Sequence, residues 1–238
     1  MGQPREVTTD SDIKLGANLR RYMDLPKFLH LLRSKSLYLR RADGFTDRLE
    51  GALTPMFRHT LDEGHRKAQL EHDADYFYRR ARSGNYVSCW TLGTTDNMAL
   101  WQLYGGAKAS VAINSTVERL VGVALSWKEQ VLIHRVLYID HTKNPDMVVR
   151  RYTDVLRYKN EAYRYEHELR ILVPRQGGDW SANPIGIELS VAKLSDLIAS
   201  VVVAPEADDW FLDVVKDICN KYQLLVPVRR SRLAYLPI

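Results

Sequence analysis

Short strand-like segments separated by irregularly placed helices constrain the fold of this chain more than any other feature. Each is a run of alternating or continuous apolar residues bounded by turn residues. The predicted strands cover 36–40, 86–90, 109–113, 131–139, 165–173, 185–189, 198–203, 225–229 and 233–236. Because helices do not alternate regularly with these strands, the pattern favours an α+β domain over a doubly wound one. We expect a mixed or largely antiparallel central sheet flanked by helices.

Helices are predicted where apolar residues recur at helical spacing, several of them behind a capping residue. The predicted helices cover 26–34, 61–82, 98–104, 115–122, 146–162 and 205–222. Residues 1–20 are polar and unpatterned, which predicts a lead-in segment. A single domain over 21–238 is expected, since mixed architectures of this length often form one unit.

The composition excludes several classes of protein. A hydrophobic content of 45% excludes a disordered chain. Two cysteines, Cys89 and Cys219, are too few for a disulfide scaffold. The net charge of +5 allows contact with phosphates but is too small for a dedicated nucleic-acid binder. With no export signal and no apolar stretch long enough for a bilayer, the sequence predicts a cytoplasmic protein without membrane contact.

In one segment, a series of charged residues is followed directly by an apolar strand. It runs from Lys159 to Arg170 and continues as Ile171-Leu172-Val173. If it is extended, Glu166, Glu168 and Arg170 share one face. Carboxylates two residues apart lie about 7 Å from each other, so one pKa rises unless a cation such as Lys159 compensates. The segment indicates either a binding or catalytic site or an ion-pair ladder on a sheet edge.

Other chemistries have weaker patterns in this sequence. It contains neither a Walker A loop nor a Gly-x-Gly-x-x-Gly turn, which argues against P-loop and Rossmann enzymes. The histidines of segment 59–72 are not spaced to put three ligands on one helical face, so no metal is predicted. Cys89 with His134 or His141 could form a thiol pair, but the apolar strand around Cys89 favours an inert buried thiol.

Three blocks of polar and aromatic residues stand out along most of the chain. They are Phe45-Thr46-Asp47-Arg48-Leu49-Glu50-Gly51, then Ser88-Cys89-Trp90 with Asn97, Leu100-Trp101 and Tyr104-Gly105, then Lys159 with Tyr165-Glu166-x-Glu168-x-Arg170. Together they resemble a bacterial and phage family described as a domain of unknown function. In that family the first block usually reads Phe-Asn-Asp-Pro-Phe-Glu, so Thr46 and Arg48 depart from its pattern.

The layout is also similar to that of ADP-ribosyltransferases, particularly the toxins that modify DNA. The similarity lies in a helix–strand opening over 26–41, a central loop with Asn97-Met98, and a late strand in which Glu168 precedes Leu-x-Ile-Leu-Val-Pro. The resemblance implies an ADP-ribosyltransferase-like fold with Glu168 as the catalytic carboxylate and Glu166 as the competing choice. For NAD binding it implies Arg40 or Arg41 on an early strand and Trp101 or Tyr104 as the aromatic residue, and Lys159 and Arg170 are the further candidates.

The implied chemistry uses NAD as a substrate and needs no metal. Cleavage of the nicotinamide glycosidic bond passes through an oxocarbenium-like state, which a carboxylate stabilises. The same carboxylate accepts a proton from an incoming nucleophile. The resemblance therefore implies an ADP-ribosyltransferase or NAD glycohydrolase with a nucleic-acid or protein acceptor, acting as a toxin or antiphage effector.

Two other functions remain open from the residues. A non-catalytic module could bind a nucleotide or a protein partner through Lys159, Arg170 and the basic segment 229–232, although arginines on an edge strand are often a device against aggregation. A magnesium-dependent nuclease is the weaker alternative, because carboxylates are the ligands that Mg²⁺ prefers. Its ligands would come from Asp47, Glu50, Glu166 and Glu168.

Overall fold

The computed structural model describes residues 6–47, 49–175 and 179–234. The strands in these ranges are β1 (Val7–Thr9), β2 (Asn18–Asp24), β3 (Ser36–Arg41), β4 (Asn85–Leu92), β5 (Ser110–Thr116), β6 (Val131–Arg135), β7 (Leu137–Ile139), β8 (Tyr158–Asn160), β9 (Glu168–Pro174), β10 (Gly186–Ser190), β11 (Ser200–Val203) and β12 (Val228–Arg230). The α-helices are α1 (Leu25–Ser34), α2 (Pro55–Arg66), α3 (Ala74–Ser83), α4 (Met98–Tyr104), α5 (Val117–Ala124), α6 (Leu194–Leu197) and α7 (Asp209–Lys221). Short 3₁₀ helices occur at Ala42–Gly44, His141–Lys143, Asp154–Arg157, Glu161–Glu166, Trp180–Ala182 and Arg232–Ala234.

Ten strands of the described ranges form one sheet. Its main path is β1–β6–β9–β4–β2–β5–β11–β12, and β3 joins it at β4 and carries β10. The pairs β1–β6 and β11–β12 are parallel, whereas the other pairs in this sheet are antiparallel. β7 and β8 form a separate parallel pair. This mixed, mainly antiparallel sheet with flanking helices confirms the predicted α+β domain.

Side chains of β9 point alternately to the two faces of the sheet, and each face has its own hydrophobic core. Leu169, Ile171 and Val173 join the main core, to which α1, α5 and α7 contribute their apolar sides. Leu172 points to the other face, where it belongs to a smaller core with Leu156. Because side chains two residues apart share a face of a strand, Glu168 and Arg170 lie on the side of the smaller core.

The sequence signals at α1 predict its structure well. The Asp24 side chain accepts a hydrogen bond from the Lys27 amide, and Pro26 occupies the first turn. The helix ends at Lys35, which adopts a left-handed conformation with φ of 48°. The chain then reverses into β3, so the predicted helix and strand are both found.

The predicted helix over 61–82 is instead two helices. α2 begins behind Thr54, and α3 begins behind Asp73; each side chain caps its helix by accepting a backbone amide bond. Between them Ala68 has a positive φ of 55°, which a continuous helix does not allow. The capping residues therefore determine where the helices begin, although the run of charged and aromatic residues is nearly continuous.

The predicted helix over 146–162 was also wrong. The Asp154 carboxylate accepts hydrogen bonds from the amides of Arg150 and Arg151 at 2.7 and 2.8 Å, a turn that competes with helix formation. Downstream the chain forms β8, which pairs with β7. The predicted strand over 131–139 is accordingly divided into β6 and β7, and the shorter β7 is the partner of β8.

The two ends of the chain also differ from the sequence prediction. The predicted polar lead-in over 1–20 contains β1 and the first residues of β2, so polar residues there belong to the sheet. Near the other end, Pro205 precedes α7 by several residues. The strand predicted over 233–236 is wrong for its first two residues, which belong to the 3₁₀ helix Arg232–Ala234, and its last two lie outside the described residues. In the part of the chain that the structure describes, no α-helix has the length and apolar character that a bilayer span requires.

The helix predicted to end at Gly122 continues past it, which leaves a glycine in the interior of α5. A methyl group at Gly122 would meet no other atom within 4 Å. We expect Gly122→Ala to raise the free energy of unfolding by about 0.5–1 kcal/mol, because alanine loses less backbone entropy in a helix.

Urea denaturation followed by circular dichroism measures this change. The matched control is Gly93→Ala, which should lower stability because Gly93 has a φ of +95°. A loss of stability in Gly122→Ala would contradict the helical environment assigned to this position.

Candidate functional site

Five charged side chains lie buried together at the beginning of β9, on the side of the smaller core. We call them the buried charge cluster, and each is at most 6% exposed. Its members are Glu50, Lys159, Glu166, Glu168 and Arg170. They come from three places in the sequence, so the fold and not local spacing brings them together.

Arg170 is the centre of this cluster. Its Nε donates to Glu168 Oε1 at 2.8 Å, and its Nη2 donates to Glu168 Oε2 at 3.2 Å and to Glu50 Oε2 at 2.9 Å. Its Nη1 donates to Glu50 Oε1 and to the Leu156 carbonyl oxygen. These five bonds match the five N–H groups of a guanidinium. Despite burial, the two carboxylates raise the pKa of Arg170 well above its usual value.

Lys159 connects the two carboxylates of the third sequence block. From β8, its Nζ donates to Glu168 Oε2 at 3.0 Å and also to Glu166 Oε2. The ammonium group lies 4.7 Å from the centre of the Tyr163 ring, a favourable cation–π distance. Burial would lower the pKa of Lys159, but Glu168 and Glu166 raise it above the usual lysine value. Lys159 is therefore a fixed positive charge.

Glu166 belongs to the cluster although it does not lie on the strand that carries Glu168 and Arg170. It ends the 3₁₀ helix Glu161–Glu166, and the following residue, His167, has a φ of 45°. The prediction that Glu166, Glu168 and Arg170 share one strand face was therefore correct only for the last two. Tyr104 donates from its hydroxyl to Glu166 Oε1 at 2.8 Å. Since Tyr104 is 43% exposed, this contact is the outer edge of the cluster.

The charges of the cluster do not balance when every member is ionised. Three carboxylates face two cations, which leaves a net charge of −1. Burial raises the pKa of Glu166 despite the nearby Lys159. Burial would also raise the pKa of Glu168, but Arg170 and Lys159 lower it to about 2. Of these two carboxyls, Glu166 is the one that more readily holds a proton.

Cys89 lies opposite Arg170 in the β4–β9 pair. Burial and the nearby Glu168 carboxylate raise the pKa of Cys89 well above its usual value, which favours the uncharged thiol. His134 Nδ1 instead lies 2.7 Å from an oxygen of Asp10. The geometry therefore agrees with an inert thiol and offers no Cys89–His134 pair.

Three of the residues implied for NAD binding lie outside the cluster. Trp101 is fully buried in the main core, where its ring meets Tyr22 edge-on at 4.9 Å. Arg40 is exposed on β3, and Arg41 forms an ion pair with Asp43 at 2.7 Å. The fold therefore brings together Tyr104, Lys159, Glu166, Glu168 and Arg170. The roles of all eight residues in substrate binding or catalysis stay predictions.

Glu50 is the cluster member that sequence reasoning did not assign to NAD chemistry. It appeared only in the first block and as a possible magnesium ligand. In the structure a tight turn directs it inward: the Glu50 amide donates to the Asp47 carbonyl oxygen at 3.2 Å, and Gly51 has a positive φ of 68°. The signal was the Glu50-Gly51 pair, but its partner Arg170 lies 120 positions away. Among the described residues, no three His, Cys, Asp or Glu side chains form an arrangement suited to a metal ion.

Two cavities lie away from the cluster. One of about 740 Å³ is at the opposite end of β4 and β9, and one of about 200 Å³ lies beside Arg40 and Arg41. Neither is lined by a member of the cluster. Tyr104, which is exposed, is the hydrogen-bond partner of Glu166 that reaches solvent.

Comparison with known proteins gives matches among solved structures. Neither the family models nor the curated proteins include a match. DarT from Thermus sp. 2.9 with carba-NAD+ is 12% identical, with a TM-score of 0.43, and the match covers 94% of this chain and 100% of that chain. DarT with ADP-ribosylated single-stranded DNA is 10% identical, with a TM-score of 0.43 and coverage of 94% and 98%. DarT with NAD+ is 10% identical, with a TM-score of 0.38 and coverage of 94% and 100%.

The unequal environments of the two carboxylates predict unequal losses of stability. Glu168→Gln should lower the free energy of unfolding by about 3–5 kcal/mol, because Arg170 and Lys159 lose a buried partner. Glu166→Gln should cost about 1 kcal/mol, because it keeps an acceptor for Tyr104 and removes the unbalanced charge. Urea denaturation at pH 7 measures both variants. Equal losses would contradict the assignment of Glu168 as the better stabilised anion.

The lowered pKa of Glu168 also predicts a dependence on pH. A carboxyl whose folded-state pKa is about 2, against an ordinary value of 4.5, stabilises the fold fully above about pH 4.5 and loses this contribution as the pH falls toward 2. The stability difference between the wild type and Glu168→Gln should therefore shrink over that interval. Denaturation series from pH 7 to 2.5 measure it, and a difference that stays constant would refute the shift.

Proposed function

We propose that this chain is an NAD-using enzyme of the ADP-ribosyltransferase type, which transfers ADP-ribose to an acceptor or, as an NAD glycohydrolase, to water. The observation that carries this proposal is the origin of the buried charge cluster. Glu50 comes from the first of the three sequence blocks, and Lys159, Glu166, Glu168 and Arg170 come from the third. The second block supplies the tyrosine that bonds to Glu166.

The energetic cost of the cluster supports a functional role. Buried ion pairs lose much of their hydration, and apolar residues of similar size are often as stabilising or more so. A cluster with an unbalanced negative charge is less favourable still. Titratable groups with shifted pKa values in such surroundings are typical of functional sites.

In the proposed reaction, Glu166 is the carboxylate that meets the substrate. Both oxygens of Glu168 accept bonds from buried cations. Both oxygens of Glu166 also accept bonds, but one of these bonds comes from Tyr104, whose side chain is exposed. Glu168 then acts as a positioning residue that fixes Lys159. This reverses the order of preference from the sequence, in which Glu168 came first.

The bond changes follow from this placement. The bond between C1′ of the ribose and the nicotinamide nitrogen breaks, and nicotinamide leaves with the electron pair. The Glu166 carboxylate stabilises the positive charge that develops on the sugar. The acceptor or water forms the new bond to C1′ and gives its proton to Glu166. Tyr104 offers its exposed ring to the nicotinamide.

The wider biological role rests on the sequence resemblance. A toxin or antiphage effector in the cytoplasm, with a nucleic-acid or protein acceptor, is the role that the resemblance favours. The early arginines Arg40 and Arg41 have no part in the proposed reaction, because neither contacts the cluster.

A second candidate function is nucleotide binding without catalysis. It is favoured by the full hydrogen bonding of Glu168, which gives this carboxylate a structural use. In that case NAD should raise the melting temperature through binding to the folded state, and no nicotinamide should form.

The proposal predicts nicotinamide release that depends on Glu166. Purified protein is incubated with NAD, alone or with single-stranded DNA or cell lysate, and nicotinamide is measured by chromatography. Glu166→Gln should lower the rate by about 100-fold or more, which is typical of losing a general acid–base group. Tyr104→Phe keeps the ring and should have a smaller effect.

The matched control is Glu161→Gln, an exposed glutamate in the same 3₁₀ helix. It should leave the rate unchanged. Circular dichroism verifies that each variant is folded. If the folded wild type releases no nicotinamide under any of these conditions, the enzymatic proposal is wrong.

A further inference from the structure

A basic cavity lies at the end of the sheet remote from the buried charge cluster. Its volume is about 740 Å³, and it is bounded by residues of α2 and α3, the segment 150–153 and the Asn85–Pro174 end of the β4–β9 pair. Pockets for small organic ligands typically measure about 300–1,000 Å³. The cavity is therefore large enough for a ligand of nucleotide size.

The charge of this cavity favours an anionic ligand. Four arginines line it: Arg80, Arg150, Arg151 and Arg175. Across residues 6–47, 49–175 and 179–234, none of their guanidinium groups is within ion-pair distance of an acidic side chain. Glu71 is the one acidic residue among those lining the cavity, and its side chain is largely exposed. Guanidinium groups bind phosphate oxygens through paired hydrogen bonds.

Two aromatic rings line the cavity beside these arginines, and we call them the aromatic wall. The Phe77 and Tyr152 rings lie 4.7 Å apart between centres, and both line the cavity. The Arg80 guanidinium lies 5.8 Å from the centre of the Tyr152 ring. Aromatic rings of this kind stack on nucleobases, whose flat faces they match.

The lining of the cavity also contains three buried polar atoms without a partner among the described residues. Asn85 is 2% exposed; its Nδ2 donates to the Ala81 carbonyl oxygen at 2.6 Å, while its Oδ1 has no partner. Thr153 is 5% exposed, and its Oγ1 also lacks one. Arg80 Nη1 is a third such atom. Buried polar atoms without a hydrogen-bond partner are uncommon in folded proteins, and all three residues line this one cavity.

We propose that this cavity is a binding site for a nucleoside phosphate. The arginines at its rim bind the phosphate groups, and the base stacks at the Phe77–Tyr152 wall.

This site is separate from the proposed NAD chemistry. In the β4–β9 pair, Asn85 lies opposite Pro174, whereas Thr91 lies opposite Glu168. Six residues of strand separate the two ends, or about 20 Å at the usual rise. Apolar residues of the smaller core, among them Leu172, occupy the face between them. The inference therefore stands whether or not Glu166 cleaves NAD.

The test is calorimetric titration of the full chain with ADP, AMP and inorganic phosphate. ADP should bind at micromolar to low-millimolar concentration and at least tenfold more tightly than phosphate, because the base adds stacking. A short 5′-phosphorylated oligonucleotide distinguishes the source of the ligand. If it displaces ADP, the site accepts the end of a nucleic-acid strand, and if it does not, the site takes a free nucleotide.

Variants of two exposed arginines at the rim and of one ring of the aromatic wall test the location. Arg151→Gln with Arg175→Gln should weaken ADP binding at least tenfold, and Tyr152→Leu should weaken ADP but not phosphate. The control of equal charge change is Lys14→Gln with Arg33→Gln, since both residues are exposed and lie away from the cavity. The proposal is overturned if ADP does not bind, if phosphate binds as tightly as ADP, or if the rim variants bind ADP like the wild type.

The same proteins separate this inference from the enzymatic proposal. The rim variants should release nicotinamide at the wild-type rate, and Glu166→Gln should bind ADP normally. Loss of ADP binding in Glu166→Gln, with the rim variants unaffected, would move the nucleotide to the buried charge cluster and refute the cavity as its site.

Discussion

The buried guanidinium of Arg170 is the interaction on which the arrangement of the site depends. All of its N–H groups donate hydrogen bonds, to the carboxylates of Glu168 and Glu50 and to the carbonyl oxygen of Leu156. One side chain thereby fixes a strand, the loop that carries Glu50 and the turn before β8. A charge in this position is tolerated only because each donor has an acceptor. Removing any one partner would leave buried N–H donors of Arg170 without an acceptor, so the three segments are coupled in stability.

The cluster has one more carboxylate than cations, and this excess determines which carboxyl group holds a proton. Arg170 and Lys159 hold Glu168 as an anion, and burial then makes a further negative charge on Glu166 unfavourable. Glu166 is thus the carboxyl with the raised pKa, and although it is buried, its hydrogen-bond partner Tyr104 is exposed. Two carboxyls with opposite shifts, one fixed and one able to exchange a proton, are a common basis of acid–base catalysis.

The sequence predicted the structural features that neighbouring residues determine. It did not predict the features that depend on contacts between residues far apart in the chain. Caps and alternation indicated α1 and most strands, and they put Glu168 and Arg170 on one face. The helix over 146–162 failed because the Asp154 side chain closes a turn, and Glu166 left the strand because His167 turns the chain. The ion pair between Glu50 and Arg170 and the gathering of arginines at the cavity join residues far apart in sequence. Periodicity carries no information on such contacts.

The two ends of β9 show how one strand can serve two different environments. At its first residues the polar face carries fully paired charges, while at Pro174 the neighbouring cavity contains arginines and buried polar atoms without partners in the described chain. The first arrangement is complete without a ligand, whereas the second leaves hydrogen bonds unmade. Guanidinium groups without an acidic partner attract an anion more strongly than paired ones do. The proposed ligand of the cavity therefore meets arginines without ion-pair partners among the described residues, whereas the substrate of the proposed reaction meets charges that are already paired.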